Sequence, residues 1–208
     1  MSPARCLYRR EIFANYERNY LLHSFAILTD SSADLSAEMV QQLDIQVLPL
    51  GFILNGRTYR DHPDNRDMDP HAFYEGLRQG EVATTTAVNV AQYTEALEPL
   101  LRAGQDVLIL AFSSGLSTTY NSSRIAVEEL REKYPHRKLY TVDTLCASLG
   151  QGLLVWYAAR ERARGRSIEE VRDWVEDPKL HLCHQFTVDD LHFLKRGARL
   201  SAAPAMVG

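Results

Sequence analysis

Apolar positions along the chain follow two rhythms. Apolar runs at FAILTD (25–30), which ends in polar residues, and VLILAF (107–112) read as short buried strands, and KLYTVD (138–143) as another strand. Between them the spacing is helical. Leu35, Met39, Val40 and Leu43 mark a helix within 31–44, and further helices are expected over 117–134 and from about Ser148 to Arg164. Asp69 with Pro70 opens another helix that Gly80 stops, and Asn89 and Gly104 bracket the next. Ser167 and Glu170 have capping-box spacing at the start of one more. The stretch 45–61 is extended, with a tight hairpin at Asn55-Gly56 and an edge or irregular position at Pro49. HLCHQFTV (181–188) reads as a last strand and DDLHFLKRG (189–197) as a short helix.

Strands separated by helices predict an α/β fold, a mostly parallel sheet flanked by helices. The alternation weakens after about residue 166. The expected organisation is an extension at 1–23, an α/β domain at 24–165 and the beginning of a second, smaller α/β domain at 166–208. A hydrophobic fraction of 45% and a charged fraction of 24% suit a globular protein, and a net charge of −4 argues against nucleic-acid binding. Cys6, Cys146 and Cys183 are odd in number and far apart, which argues against a disulfide framework or structural zinc and for a reducing cytoplasm. No apolar run is long enough to span a membrane, and residues 1–23 lack a secretory h-region.

Candidate chemistry gathers where strands end. Thr29 to Ser32, Ser113-Ser114-Gly115, Val142 to Thr144 and the ATTTAVN segment (83–89) could meet at one mouth, since ligands of open α/β sheets bind beyond the strands' carboxyl ends. The hydroxyl cluster from Ser113 to Ser123 stands where a helix begins, and Gly115 lets the backbone approach closely. A helix N-terminus offers free N–H groups and about 0.3–1 kcal/mol of dipole stabilisation to an anion. Each hydrogen bond to a charged group adds about 1.5–3 kcal/mol. The bland alternative is that Ser114 or Ser117 caps its own helix, but one cap accounts for one hydroxyl. GLSTT is not a nucleophile elbow, and GQG (150–152) lacks a third glycine and falls in a helix. On a strand, His181 and Cys183 would share a face while His184 pointed away, so no metal site is expected. Asp30 and Asp143 read more readily as loop caps than as catalytic groups. No catalytic residue, metal or cofactor is expected, and the competing reading is an enzyme acting on a small phosphorylated or acylated substrate at the same anion site.

AILTDSSADLS, SSGLSTTYNSS, VDTLCASLGQGLLV and FTVDDLHFLKRGARLSA occur in the order that resembles the DegV family, over Phe25 to Gly208. The resemblance implies a bacterial fatty-acid-binding carrier with a long-chain fatty acid between two domains. Its carboxylate would be held by hydroxyls and its tail in an apolar tunnel. By the same resemblance Thr85, Thr86, Ser113, Ser114 and Gly115 form the head-group site, with Arg196 and Arg199 as the arginines of the family's basic motif. Ala198 stands where that motif usually has a second glycine, and Ala87, Val88 and Asn89 depart from the family's Thr-Ser-Gln-Pro-Ser segment. Some members deliver the fatty acid to a separate fatty acid kinase and carry the acyl phosphate away, so the implied role is non-catalytic. Burying a sixteen-carbon tail offers on the order of 12 kcal/mol before losses, against a few from the head group. Family members continue beyond the point matching Gly208, which implies one of three things: a truncated chain, the favoured reading, a partner chain that completes the pocket, for instance in a homo-oligomer, or lost binding.

Overall fold

The computed structural model describes residues 25–185 and 187. Strand β1 (Phe25–Asp30) leads through a 3-10 turn (Ser31–Ala33) to α1 (Ala37–Gln42) and β2 (Ile45–Leu48). A smaller unit follows, made of β3 (Gly51–Leu54), β4 (Arg57–Arg60), α2 (Pro70–Arg78) and β5 (Ala83–Thr86). The chain then alternates through α3 (Val90–Arg102), β6 (Asp106–Ala111), α4 (Thr119–Lys133), β7 (Leu139–Asp143) and α5 (Ser148–Ala163). Helix α6 (Ile168–Glu176) and a 3-10 turn (Pro178–Leu180) complete the described elements.

The main sheet is parallel, in the order β2-β1-β6-β7, and the smaller sheet is antiparallel, in the order β4-β3-β5. In the main sheet period-two alternation splits the strands between two cores. Ile27, Leu108, Leu110 and Val142 pack with Leu154, Val155 and Ala158 of α5 on one face. Leu28, Val107 and Ile109 pack with Tyr93 and Leu97 of α3 and Val127 and Leu130 of α4 on the other. Coverage of both faces is why these strands read as apolar runs. Helix α6 buries Ile168, Val171 and Val175 in the α5 core.

Local signals account for most element ends. Asp69 Oδ1 accepts from the Ala72 N–H (2.9 Å), and Asn89–Gln92 and Ser167–Glu170 close as reciprocal capping boxes. Asn55 and Gly56 both have positive φ (51° and 75°), the two left-handed positions of a tight hairpin turn. Three expectations change. The helix expected within 31–44 starts only at Ala37, because Asp34 sits at φ 51° and ends the preceding 3-10 turn, and Ser36 is the cap. The ATTT segment is itself a strand, paired with β3. Residues 181–185 form no strand with any of the described residues, and His184 engages Cys146. The helix expected at 189–197, with Arg196 and Arg199, lies outside the described residues.

Candidate functional site

From β1 the chain moves to β2 on one side of the sheet, and β6 and β7 are laid down on the other. The crevice at the carboxyl ends of β1 and β6 is therefore the topological switch point, the place where such sheets bind ligands. Asp30 ends β1 there and is fully buried. Its Oδ2 accepts the Phe112 N–H (2.8 Å), and its Oδ1 accepts the Ser32 N–H (3.2 Å) and the Ser32 hydroxyl. Burial holds its carboxyl above the ordinary range, and these hydrogen bonds oppose that shift only in part. Nearby, the buried hydroxyl of Tyr93 is pushed well above its usual value, by burial first and by the charge of Asp30 second. That hydroxyl has no hydrogen-bond partner among the described residues.

Gln151 of α5 reaches the same buried layer. Its Nε2 donates to Thr29 Oγ1 (3.0 Å), whose own hydroxyl donates to the Leu110 carbonyl (2.7 Å). Its Oε1 accepts from the Ser32 hydroxyl at 3.4 Å. Helix α5 comes this close because Gly152 has no side chain: a Cβ there would stand 2.5 Å from the Ala33 carbonyl oxygen. That contact, and not a dinucleotide loop, accounts for the second glycine of GQG.

The loop after β6 carries Ser113, Ser114 and Gly115. Ser113 is buried, while Ser114 and Gly115 are exposed. Backbone donors expected for an anion are spent within the protein. The Ser113 N–H donates to the Cys146 carbonyl (3.2 Å) and the Ser114 N–H to Asp143 Oδ1 (3.1 Å). The Gly115 N–H donates to Ser113 Oγ (3.2 Å), and the Thr119 N–H to Ser117 Oγ (3.2 Å). The hydroxyls therefore remain as the groups that can meet a ligand. Neither serine is the N-cap of α4; that position is Thr118, without a side-chain cap bond. Asp143 is a loop cap, as expected of it, since its Oδ1 also accepts the Leu145 N–H (3.1 Å).

This shared carboxylate joins Ser114 to an apolar rim. Leu116 follows in the same loop, and Leu145, Leu149 and Leu153 run at intervals of four into the first turns of α5. All four are exposed, between 40 and 66%.

Thr85 and Thr86 lie on β5 in the smaller sheet, and as consecutive strand residues they leave opposite faces. Thr85 pairs with Phe52 and lines a cavity of about 420 Å³ with Phe52, Phe73, Asp34 and Asp61. Thr86 pairs with Gly51, where an added Cβ would strike Thr86 Oγ1. Ser113 and Ser114 are not among the residues lining that cavity. A like charge about 4 Å from a ligand carboxylate costs about 4 kcal/mol at an effective dielectric constant of 20, so Asp34 and Asp61 disfavour an anion at that end.

Cys146 Sγ lies 3.2 Å from His184 Nε2, a spacing that resembles a nucleophile and its base. Burial, reinforced by Asp143 and opposed by Lys179, pushes the thiol up to about 11. At neutral pH it is a protonated thiol and a poor nucleophile. Among the described residues no group of three or more His, Cys, Asp or Glu side chains could hold a metal ion, and no helix is long and apolar enough to cross a membrane.

Sequence reasoning missed Gln151 and the leucine rim. Gln151 carried a signal, being the polar member of a helical face otherwise made of Leu154, Val155 and Ala158.

Residues 24–208 match the family model described as an uncharacterised protein of the DegV family. A DegV domain-containing protein of Clostridium perfringens is 49% identical over 187 residues, covering 90% of this chain and 64% of its own. One from Lactococcus lactis is 35% identical, with coverages of 89% and 64%. Among solved structures, the fatty-acid-binding DegV-family protein of Thermus thermophilus superposes with a TM-score of 0.74 at 31% identity, covering 89% of this chain and 64% of that one. DegV of Bacillus subtilis, a fatty-acid-binding protein, gives 0.72 at 30% identity and the same coverages. The chain thus spans about 64% of the length of these relatives. On the match across 24–208 and the shared fold, the chain belongs to the DegV family.

Proposed function

We propose that this chain binds a long-chain fatty acid, with the carboxylate at Ser113 and Ser114 and the tail along Leu116, Leu145, Leu149 and Leu153. The observation that carries the reading is this adjacency: two serines at the switch point, tied through Asp143 to a rim of exposed leucines. Solved relatives from Thermus thermophilus and Bacillus subtilis are fatty-acid-binding proteins, which supports the ligand class. Neutral hydroxyls suit a carboxylate because they donate without adding charge. Covering a leucine that is already partly buried contributes about half of the 1.5–3 kcal/mol of full burial, and each methylene of the tail adds about 0.8 kcal/mol, so the apolar part outweighs the head group. Gly115 keeps the backbone open beside the serines. Thr85, Thr86, Arg196 and Arg199 are the residues the family resemblance would add. The same resemblance supports presentation of the bound acid to a separate kinase.

Organic extraction of the purified protein followed by mass spectrometry tests the reading. A stoichiometric fatty acid is expected from the wild type, with little from Ser113→Ala/Ser114→Ala or from Leu149→Ser/Leu153→Ser. Full retention in both double variants, with unchanged circular dichroism, would sink it.

A further inference from the structure

A carboxylate at the floor of the switch point calls for a reason. Asp30 is fully buried, and among the described residues no Lys or Arg forms an ion pair with it. A buried charge without a counter-charge is costly, and a site that retains one is a candidate for a functional role. What Asp30 does with its oxygens is specific. Oδ2 takes the N–H of Phe112, the residue directly before Ser113 (2.8 Å). Oδ1 takes both the N–H and the hydroxyl of Ser32. The carboxylate is therefore a strut between the β1 end and the start of the serine loop. The next anchors of that loop are the Cys146 carbonyl at Ser113 and Asp143 at Ser114. The Phe112 amide is thus held by the end of β1, and the Ser113 and Ser114 amides by β7 and the loop after it.

We infer that Asp30 is a positioning residue for the head-group site: it sets the Ser113-Ser114 loop, and so the preference for a free carboxylate, without touching the ligand. This rests on the fatty-acid reading above. Hydrogen bonds to a carboxylate are about twice as strong as neutral ones, and a carboxylate accepts at both oxygens, whereas an amide accepts only at one. In Asp30→Asn the side chain keeps its size, but one oxygen becomes an N–H₂ group, so Phe112 and Ser32 cannot both be held as they are. The strut is then broken at one end: either the loop loses its Phe112 anchor or the β1 end loses its tie to the Ser32 N–H.

A defect in folding and a defect in head-group geometry separate cleanly with paired ligands. Palmitate and its methyl ester share a tail, and only the acid has a carboxylate to be gripped. The wild type is expected to favour palmitate over the ester, and Asp30→Asn to lose about fivefold in palmitate affinity with little change for the ester. Ser32→Ala, which leaves the Phe112 bond to Asp30 in place, is expected to keep most of the preference. A merely structural Asp30 would weaken both ligands together. If the wild type prefers palmitate and Asp30→Asn keeps that preference in full, the role of Asp30 is overturned while the fatty-acid reading stands. If the wild type binds the two alike, or neither, the carboxylate grip itself is wrong and the role of Asp30 falls with it.

Discussion

The two sheets of this molecule end up in opposite conditions. Every residue from Val107 to Ala111 of β6 is fully buried, because helices cover both faces of the parallel sheet. In the antiparallel sheet only Leu54 is buried; Phe52 stacks on Tyr59 and meets Phe73 edge-on, and all three stay partly exposed. The hydroxyls differ in the same way. Thr29, Ser113 and Thr144 sit in the buried layer, and Thr84, Thr85 and Thr86 face outward on the smaller sheet. A hydroxyl in the first setting is fixed by partners from distant segments, as Thr29 is by Leu110 and Gln151. Pre-set geometry is what a head-group site needs, since the cost of ordering it has been met on folding.

The sharpest way to break this comparison is to hollow out each sheet in turn. Leu110→Ala should cost about 2–5 kcal/mol, because a fully buried side chain is lost and a cavity remains. Phe73→Ala should cost less, about 1–3 kcal/mol, despite removing more atoms, because the residue is already partly exposed. Urea denaturation of both variants measures this, and equal costs would mean that the smaller sheet is as much a part of the core as β6.

A second variant probes the joint between the two. Asn89 stands between β5 and α3, accepting the Gln92 N–H (2.9 Å) while its own N–H donates to Gln92 Oε1 (3.0 Å). Asn89→Ala should destabilise by about 1 kcal/mol, the usual worth of such a cap. A negligible change would show that α3 is held by Tyr93, Leu97 and Leu101 alone.

The same contrast explains what could be read from the chain and what could not. Buried parallel strands announce themselves as apolar runs, so β1, β6 and β7 were legible, as were the caps at Asp69, Asn89 and Ser167. The strand at ATTT was not, because an exposed, threonine-rich edge has no apolar alternation to reveal it. At the site, the serines were visible as residue types clustered after a strand. Their surroundings were not: the partners of Asp30 at Phe112 and of Ser32 at Gln151 lie 82 and 119 residues away in sequence. The acceptors of the Ser113 and Ser114 N–H groups were equally hidden, since they come from β7 and the loop after it.

The smallest expected effect is also the most specific to the buried layer. Burial raises the Asp30 carboxyl above its ordinary value of 3.8, so the folded protein holds a proton in a pH range where the unfolded chain has released it. Below 3.8 both states are protonated and the group has no effect. As pH rises from there through the folded-state value, the unfolded state binds fewer protons than the folded one. Stability therefore falls with pH, then levels off once both states are ionised. Asparagine cannot titrate, so the stability of the wild type relative to Asp30→Asn should be greatest in acid and decline towards neutrality. Denaturation of the pair at pH values spanning 3 to 7 measures the difference directly, with other titrating groups cancelling because they are common to both. A difference that rises with pH would mean that Phe112 and Ser32 stabilise the charged carboxylate by more than burial penalises it. Asp30 would then be an anchored anion, and the strut stronger than its burial implies.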